Sequence, residues 1–194
     1  MNSLRILGID PGSRKTGYAV LDVQGTIKKA LLCDALNLTK IKDWQPRLCE
    51  LYSFVSNIID TYKPDSCAIE VPVYGKDPLA MMKLGRSQAS IIMAALHKNV
   101  PVFEYYPKAV KKAISGNGNA SKVQVAYMLE KILNIDRKIL TDDATDALAV
   151  AWCHLQKIQA PGSVENGSSP EPVKRKKNTW SSFVADNPDR IRKL

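Results

Sequence analysis

Short apolar runs open the chain. Leu4 to Ile9, Thr16 to Val23 and Ile27 to Leu36 read as three strands, with Gly12 and the Gln24-Gly25 pair supplying tight turns between them. The period then changes. From Pro46, an early helical residue, Leu48, Leu51, Tyr52, Val55, Ile58, Ile59 and Tyr62 repeat at helical spacing over four turns. Ser66 to Val71 predicts a short buried strand, Pro78 to His97 a long helix, and Pro101 to Tyr105 another strand. Pro107 to Ile114 begins a helix that stops at Ser115-Gly116-Asn117-Gly118. Helices over about Ser121 to Leu133 and Asp142 to Ile158 complete the pattern. A three-strand meander followed by alternating helix and strand indicates an α/β layer fold with a mixed five-stranded sheet: the meander, two parallel strands and flanking helices.

The composition shifts near Pro161. Pro161-Gly162-Ser163 and Asn166-Gly167-Ser168-Ser169-Pro170 read as flexible chain unable to bury a core, followed by the basic run Lys174 to Lys177. Residues 1–160 are therefore expected to form the domain and 161–194 a flexible basic C-terminal tail. Charge narrows the function. The 28 Lys and Arg against 19 Asp and Glu leave +9, which favours a polyanionic partner. The tail contributes only +3 of it, so the domain is itself basic. Cys33, Cys49, Cys67 and Cys153 form no C-x-x-C pair; they read as buried free thiols of a reducing compartment. With no apolar run of about 18 residues to span a bilayer, the expected location is the cytoplasm, with no membrane partner.

Carboxylates carry the candidate chemistry. Asp10 ends an apolar strand inside Gly8-Ile9-Asp10-Pro11-Gly12-Ser13, a place for a metal ligand or for an Asx turn. Glu70 ends Cys67-Ala68-Ile69-Glu70, a strand buried on both faces, where a charge needs a metal or a basic partner. Asp142, Asp143 and Asp146 open the last helix. First-turn acids complement the helix dipole and cap free N–H groups, which accounts for Asp142 and not for Asp146. Asp143 and Asp146 share a face, as do Asp142 and Asp146, and spacing does not choose between them. Convergence of Asp10, Glu70 and such a pair would cost roughly 3–4 kcal/mol of repulsion per pair of charges at an effective dielectric near 20, which calls for divalent cations. Oxygen donors without His or Cys select Mg²⁺ or Mn²⁺. Two such ions about 4 Å apart activate a water and stabilise the leaving oxygen of a phosphodiester.

These residues resemble a known family. Gly8-Ile9-Asp10-Pro11-Gly12-Ser13-Arg14-Lys15-Thr16-Gly17-Tyr18 is similar to the opening of the RuvC family of bacterial Holliday-junction endonucleases, which have an RNase H-like fold. Ala68-Ile69-Glu70, Lys83-Leu84-Gly85-Arg86 leading to Pro101-Val102-Phe103-Glu104-Tyr105, and Asp143-Ala144-Thr145-Asp146-Ala147-Leu148-Ala149 agree in order and spacing, over about residues 4–158. The resemblance implies that Asp10, Glu70, Asp143 and Asp146 bind two Mg²⁺, with Mn²⁺ able to substitute, and prefers Asp143 over Asp142. It implies a catalytic Lys122, and DNA contacts for Lys111, Lys122 and Arg14. The family's stacking phenylalanine falls at Val73, so the resemblance passes the stacking role to Tyr74 beside it. Four-way junction DNA, a homodimer formed partly by the Pro78 to His97 helix, and the RuvA–RuvB branch-migration complex are the implied partners.

Three other functions compete. An RNase H-like enzyme acting on structured RNA or hybrids shares the Asp10 motif and differs in substrate. A protein that binds junctions without cutting them would not need all four carboxylates. An actin-like kinase needs two lobes, about twice this length, and a glycine-rich adenosine loop that the Asp-Ala-Thr-Asp helix does not provide. His97 and His154 are read as residues serving helix C-terminal dipoles. Met81, Met82, Ile91, Ile92 and Met93 are read as core, with part of the stripe available to an interface.

Overall fold

The computed structural model describes residues 3–72, 77–135 and 141–160. The expected tail, Val73 and Tyr74 lie outside the described residues. The elements run β1 (Leu4–Asp10), β2 (Lys15–Gln24), β3 (Ile27–Asn37), α1 (Trp44–Tyr62), β4 (Ser66–Glu70), α2 (Pro78–His97), β5 (Val102–Tyr105), α3 (Pro107–Ser115), α4 (Lys122–Leu133) and α5 (Asp142–Gln159). One mixed sheet has the order β3-β2-β1-β4-β5. The meander β1-β2-β3 is antiparallel, while β4 lies parallel to β1 and β5 parallel to β4. This is the sheet that the hydrophobic pattern predicts.

Alternation along the strands sorts the two faces. Ile6, Ala19, Leu21 and Ala68 pack with α3, α4 and α5, whereas Leu7, Ile9, Val20, Cys67 and Ile69 pack with α1 and α2. On the first face α5 lies very close to the sheet. A Cβ on Gly8 would meet the Ala147 carbonyl oxygen at 2.2 Å, and one on Gly17 the Asp143 carbonyl oxygen at 1.9 Å. Glycine is required at both positions because the helix backbone occupies the space of a side chain.

Four expectations need correction. Helix α1 starts at Trp44, two residues before Pro46, and the proline is tolerated because first-turn N–H groups have no intrahelical acceptor. Met82 and Met93 on α2 are exposed beside buried Ile91, so the stripe is only partly core. Cys67 and Cys153 are buried, but Cys49 is exposed and Cys33 only half-buried. His154 serves no helix dipole. It is 2% exposed, is hydrogen-bonded through Nδ1 to Tyr105 Oη at 2.6 Å and through Nε2 to Ser66 Oγ at 3.0 Å, and burial pushes its pKa down to about 4. A neutral ring joining α5 to β4 and β5 has no charge to offer a dipole. No helix among the described residues is long and apolar enough to cross a membrane.

Candidate active site

Strands β1 and β4 run parallel with Ile9 opposite Ile69, so Asp10 and Glu70 end neighbouring strands at the same carboxyl edge. Each also follows by two residues a position that packs toward α5, Gly8 and Ala68 respectively, and the two-residue repeat puts both on that face. Burial raises the Asp10 pKa to about 6, helped by repulsion from Asp146 and Asp143 and opposed by Lys122. Glu70 rises to about 7, through burial first and then through Asp10 and Asp146. The two acids also act on each other, lowering the pKa of Asp10 and raising that of Glu70.

Helix α5 brings the other acids. Its N-terminus is capped by Thr141, whose Oγ1 accepts from the Ala144 N–H at 3.2 Å. The hydroxyl does what sequence reasoning gave to Asp142, which is exposed. Asp143 and Asp146 are half-buried, and both act on Asp10. Opposite them, α4 opens with a capping box, Ser121 and Gln124 exchanging bonds with each other's backbone N–H. This places Lys122 at the first helical position. Its Nζ donates to Asp146 Oδ2 at 2.5 Å, and that bond holds the lysine in its charged form.

The structure thus brings Asp10, Glu70, Asp143, Asp146 and Lys122 into one electrostatic cluster. Lys111 stands apart on α3 and pairs with no described carboxylate. Arg14 is exposed in the turn after β1, lining a separate pocket between that turn, α1 and α2. Two parts of the arrangement escaped sequence reasoning. The Thr141 cap was hidden behind three stronger acidic candidates, and the need for Gly17 appears only once α5 is placed.

Among the described residues no three His, Cys, Asp or Glu side chains close tightly enough to grip one ion as they stand. The fit to a cation is one of charge and donor type: oxygen donors alone, two of them held partly protonated by burial and mutual repulsion. Such a set suits a hard divalent ion, whose charge offsets that burial and repulsion.

A mixed sheet with acids at the ends of two adjacent parallel strands, completed by acids from a helix laid across it, defines the RNase H-like class of resolvases. Comparison with known proteins agrees. The family model described as crossover junction endodeoxyribonuclease RuvC matches residues 6–154, and the chain belongs to the RuvC family. A crossover junction endodeoxyribonuclease RuvC from Salinibacter ruber is 43% identical over 186 residues, covering 96% of this chain and 98% of that protein. One from Cytophaga hutchinsonii is 40% identical, covering 96% and 88%. Among solved structures, T. thermophilus RuvC in complex with Holliday junction substrate superposes with a TM-score of 0.74 at 27% identity, covering 78% of this chain and 93% of that one. The yeast mitochondrial Holliday junction resolvase shares the fold, with a TM-score of 0.59 at 16% identity over 79% of each chain.

Proposed function

We propose that this chain is a metal-dependent endonuclease that resolves Holliday junctions in DNA recombination and repair. The observation that carries this reading is the cluster of Asp10, Glu70, Asp143 and Asp146 with Lys122 at the carboxyl edge of β1 and β4, in a member of the RuvC family. Asp10, Glu70, Asp143 and Asp146 would hold the ions, which we take to be two Mg²⁺ with Mn²⁺ able to replace them, because every donor is a hard oxygen. Bound there, the ions would supply an acidified water and offset charge on the leaving 3′ oxygen. The chain's own groups do the rest. Asp10 and Glu70, whose pKa values burial raises, would both be anionic when the site is loaded. Lys122 Nζ steadies Asp146 and presents a charged donor to a phosphate oxygen as negative charge builds on it. Lys111 is assigned to the DNA near that phosphate, Tyr74 to stacking on a base at the junction centre, and Arg14 to a DNA contact. The products would carry 5′-phosphate and 3′-hydroxyl ends.

A four-way junction has two-fold symmetry, and two symmetric nicks require two such sites, which a C₂ homodimer provides. The exposed Met82, Met93 and Leu96 of α2 give a homodimer apolar surface to bury. Cooperation with a RuvA–RuvB branch-migration complex rests on family membership alone.

The decisive experiment compares a synthetic four-way junction with a linear duplex and an RNA–DNA hybrid, each with Mg²⁺ and with EDTA. Paired symmetric nicks are expected in the junction alone and only with Mg²⁺. Cutting of the hybrid, or tight junction binding without cleavage, would overturn the proposal.

A further inference from the structure

On the opposite face of the sheet from α5, a pocket of about 330 Å³ opens between the turn after β1, the start of α1 and the middle of α2. Its walls carry five cations: Arg14 from the turn, Lys42 and Arg47 beside and within the first turn of α1, and Lys83 and Arg86 from α2. Asp43 is the one carboxylate among the lining residues, and none of the five cations forms an ion pair with a described carboxylate. Like charges gathered around one cavity repel, so the arrangement is costly unless an anion enters it.

Two of the cations are held in place. Arg47 donates from Nε to the Ile41 carbonyl at 2.5 Å and from Nη1 to the Ser13 carbonyl at 3.5 Å, tying the turn after β1 to α1. Arg86 stacks its guanidinium over the Trp44 ring at 4.5 Å. Trp44 is itself 47% exposed, an unusual position for an indole unless the stack or a ligand covers it. A guanidinium oriented in this way is suited to two-pronged recognition of a phosphate. The Arg14 Cα can lie no further than about 14 Å from that of Asp10, because it is only four residue steps along the chain. The pocket therefore sits beside the acidic cluster while sharing none of its residues.

We propose that this pocket is a second phosphate-binding site, which grips the backbone of the junction DNA away from the cleaved bond, with Trp44 as the positioning residue for Arg86. The inference rests on the junction-cleaving reading and adds a contact that the reading does not require. Phosphate neutralised here registers as released counterions, so the salt dependence of binding reports on the site directly.

The test measures junction binding in EDTA across a series of NaCl concentrations for the wild type, K83M/R86M, W44L and W44F. The double variant is expected to bind about tenfold or more weakly near physiological salt. Its slope of log K against log salt should fall by about one to two, at about 0.9 per phosphate contact. W44L should reproduce part of both changes, and W44F, which keeps an aromatic face for Arg86, should restore them. Melting temperature and sedimentation are followed alongside. An unchanged slope in K83M/R86M overturns the proposal, and so does a loss of affinity that follows only from dissociation of a dimer, which would make the pocket a protein contact. Either failure would leave the wild type cutting junctions normally. Failure of the junction reading itself would appear in the wild type.

Discussion

Asp10 and Glu70 are half-buried beside other acids, and their raised pKa values of about 6 and about 7 make the metal-free protein sensitive to pH. A carboxyl whose folded pKa lies above its ordinary value binds protons more tightly in the native state. Its contribution is therefore greatest at low pH and is lost as the pH rises from about 4 through about 7. D10N and E70Q remove that dependence. In EDTA at pH 8 both variants should melt no lower than the wild type, and with Mg²⁺ both should lose junction cleavage; a clear drop in melting temperature would instead mark a structural ion pair. Lys122 works in the opposite sense, since its charge lowers the pKa of both acids. At this scale the sequence was informative where a charge ended an apolar strand, as at Asp10 and Glu70. It was silent between Asp142 and Asp143, because both fit a first helical turn. The family resemblance preferred Asp143, and the placement of α5, with the Thr141 hydroxyl capping it, separates the exposed acid from the one that acts on Asp10.

Helix α5 joins the site to the core, and its closeness to the sheet depends on two glycines. Adding a methyl at Gly8 or Gly17 sets a Cβ against backbone, the Ala147 and Asp143 carbonyl oxygens, and neither can swing aside as a side chain would. G8A and G17A should each lower stability by about 3 kcal/mol or more in urea unfolding, and G17A should cost cleavage as well because it displaces Asp143. At its other end α5 is fixed by His154. A histidine whose folded pKa is depressed to about 4 from 6.5 leaves stability intact above pH 6.5. Stability is then lost as the pH falls toward 4, by up to about 3 kcal/mol. The acids of the site slope the other way over the same range, so the effect is best read in a D10N/E70Q background. There, urea midpoints should fall between pH 6.5 and 4, and the added H154Q substitution, although destabilising, should flatten the fall. Element identities were legible from period alone, since strand and helix spacing alternate cleanly. The role of His154 was not, because its Tyr105 and Ser66 partners lie 49 and 88 residues away in sequence. Nor could the depth of contact at Gly17 be foreseen, because it depends on where a helix more than 120 residues later comes to rest.

For the whole molecule, the sheet order brings charge to one edge in two ways. Acids collect where β1 and β4 end beneath α5, and basic side chains line the pocket across the same edge against α1 and α2. Sequence gave the sign of the excess charge without its distribution, because Lys42, Arg47, Lys83 and Arg86 come from separate segments that only folding gathers. The net +9 divides into +6 over residues 1–160 and +3 over 161–194, and this division sets a last expectation. If phosphate contacts follow the folded charge, a chain ending at Ala160 should still cut junctions and should keep most of the salt slope of binding, losing affinity by a roughly constant factor. If the basic run Lys174 to Lys177 makes its own phosphate contacts, the truncated chain should instead lose up to about 0.9 in slope for each contact removed. Titrating the same junction with both chains from low to moderate salt distinguishes the two. We expect the first result, because Arg47 and Arg86 of the pocket and Lys122 of the acidic cluster are already held in place by the fold.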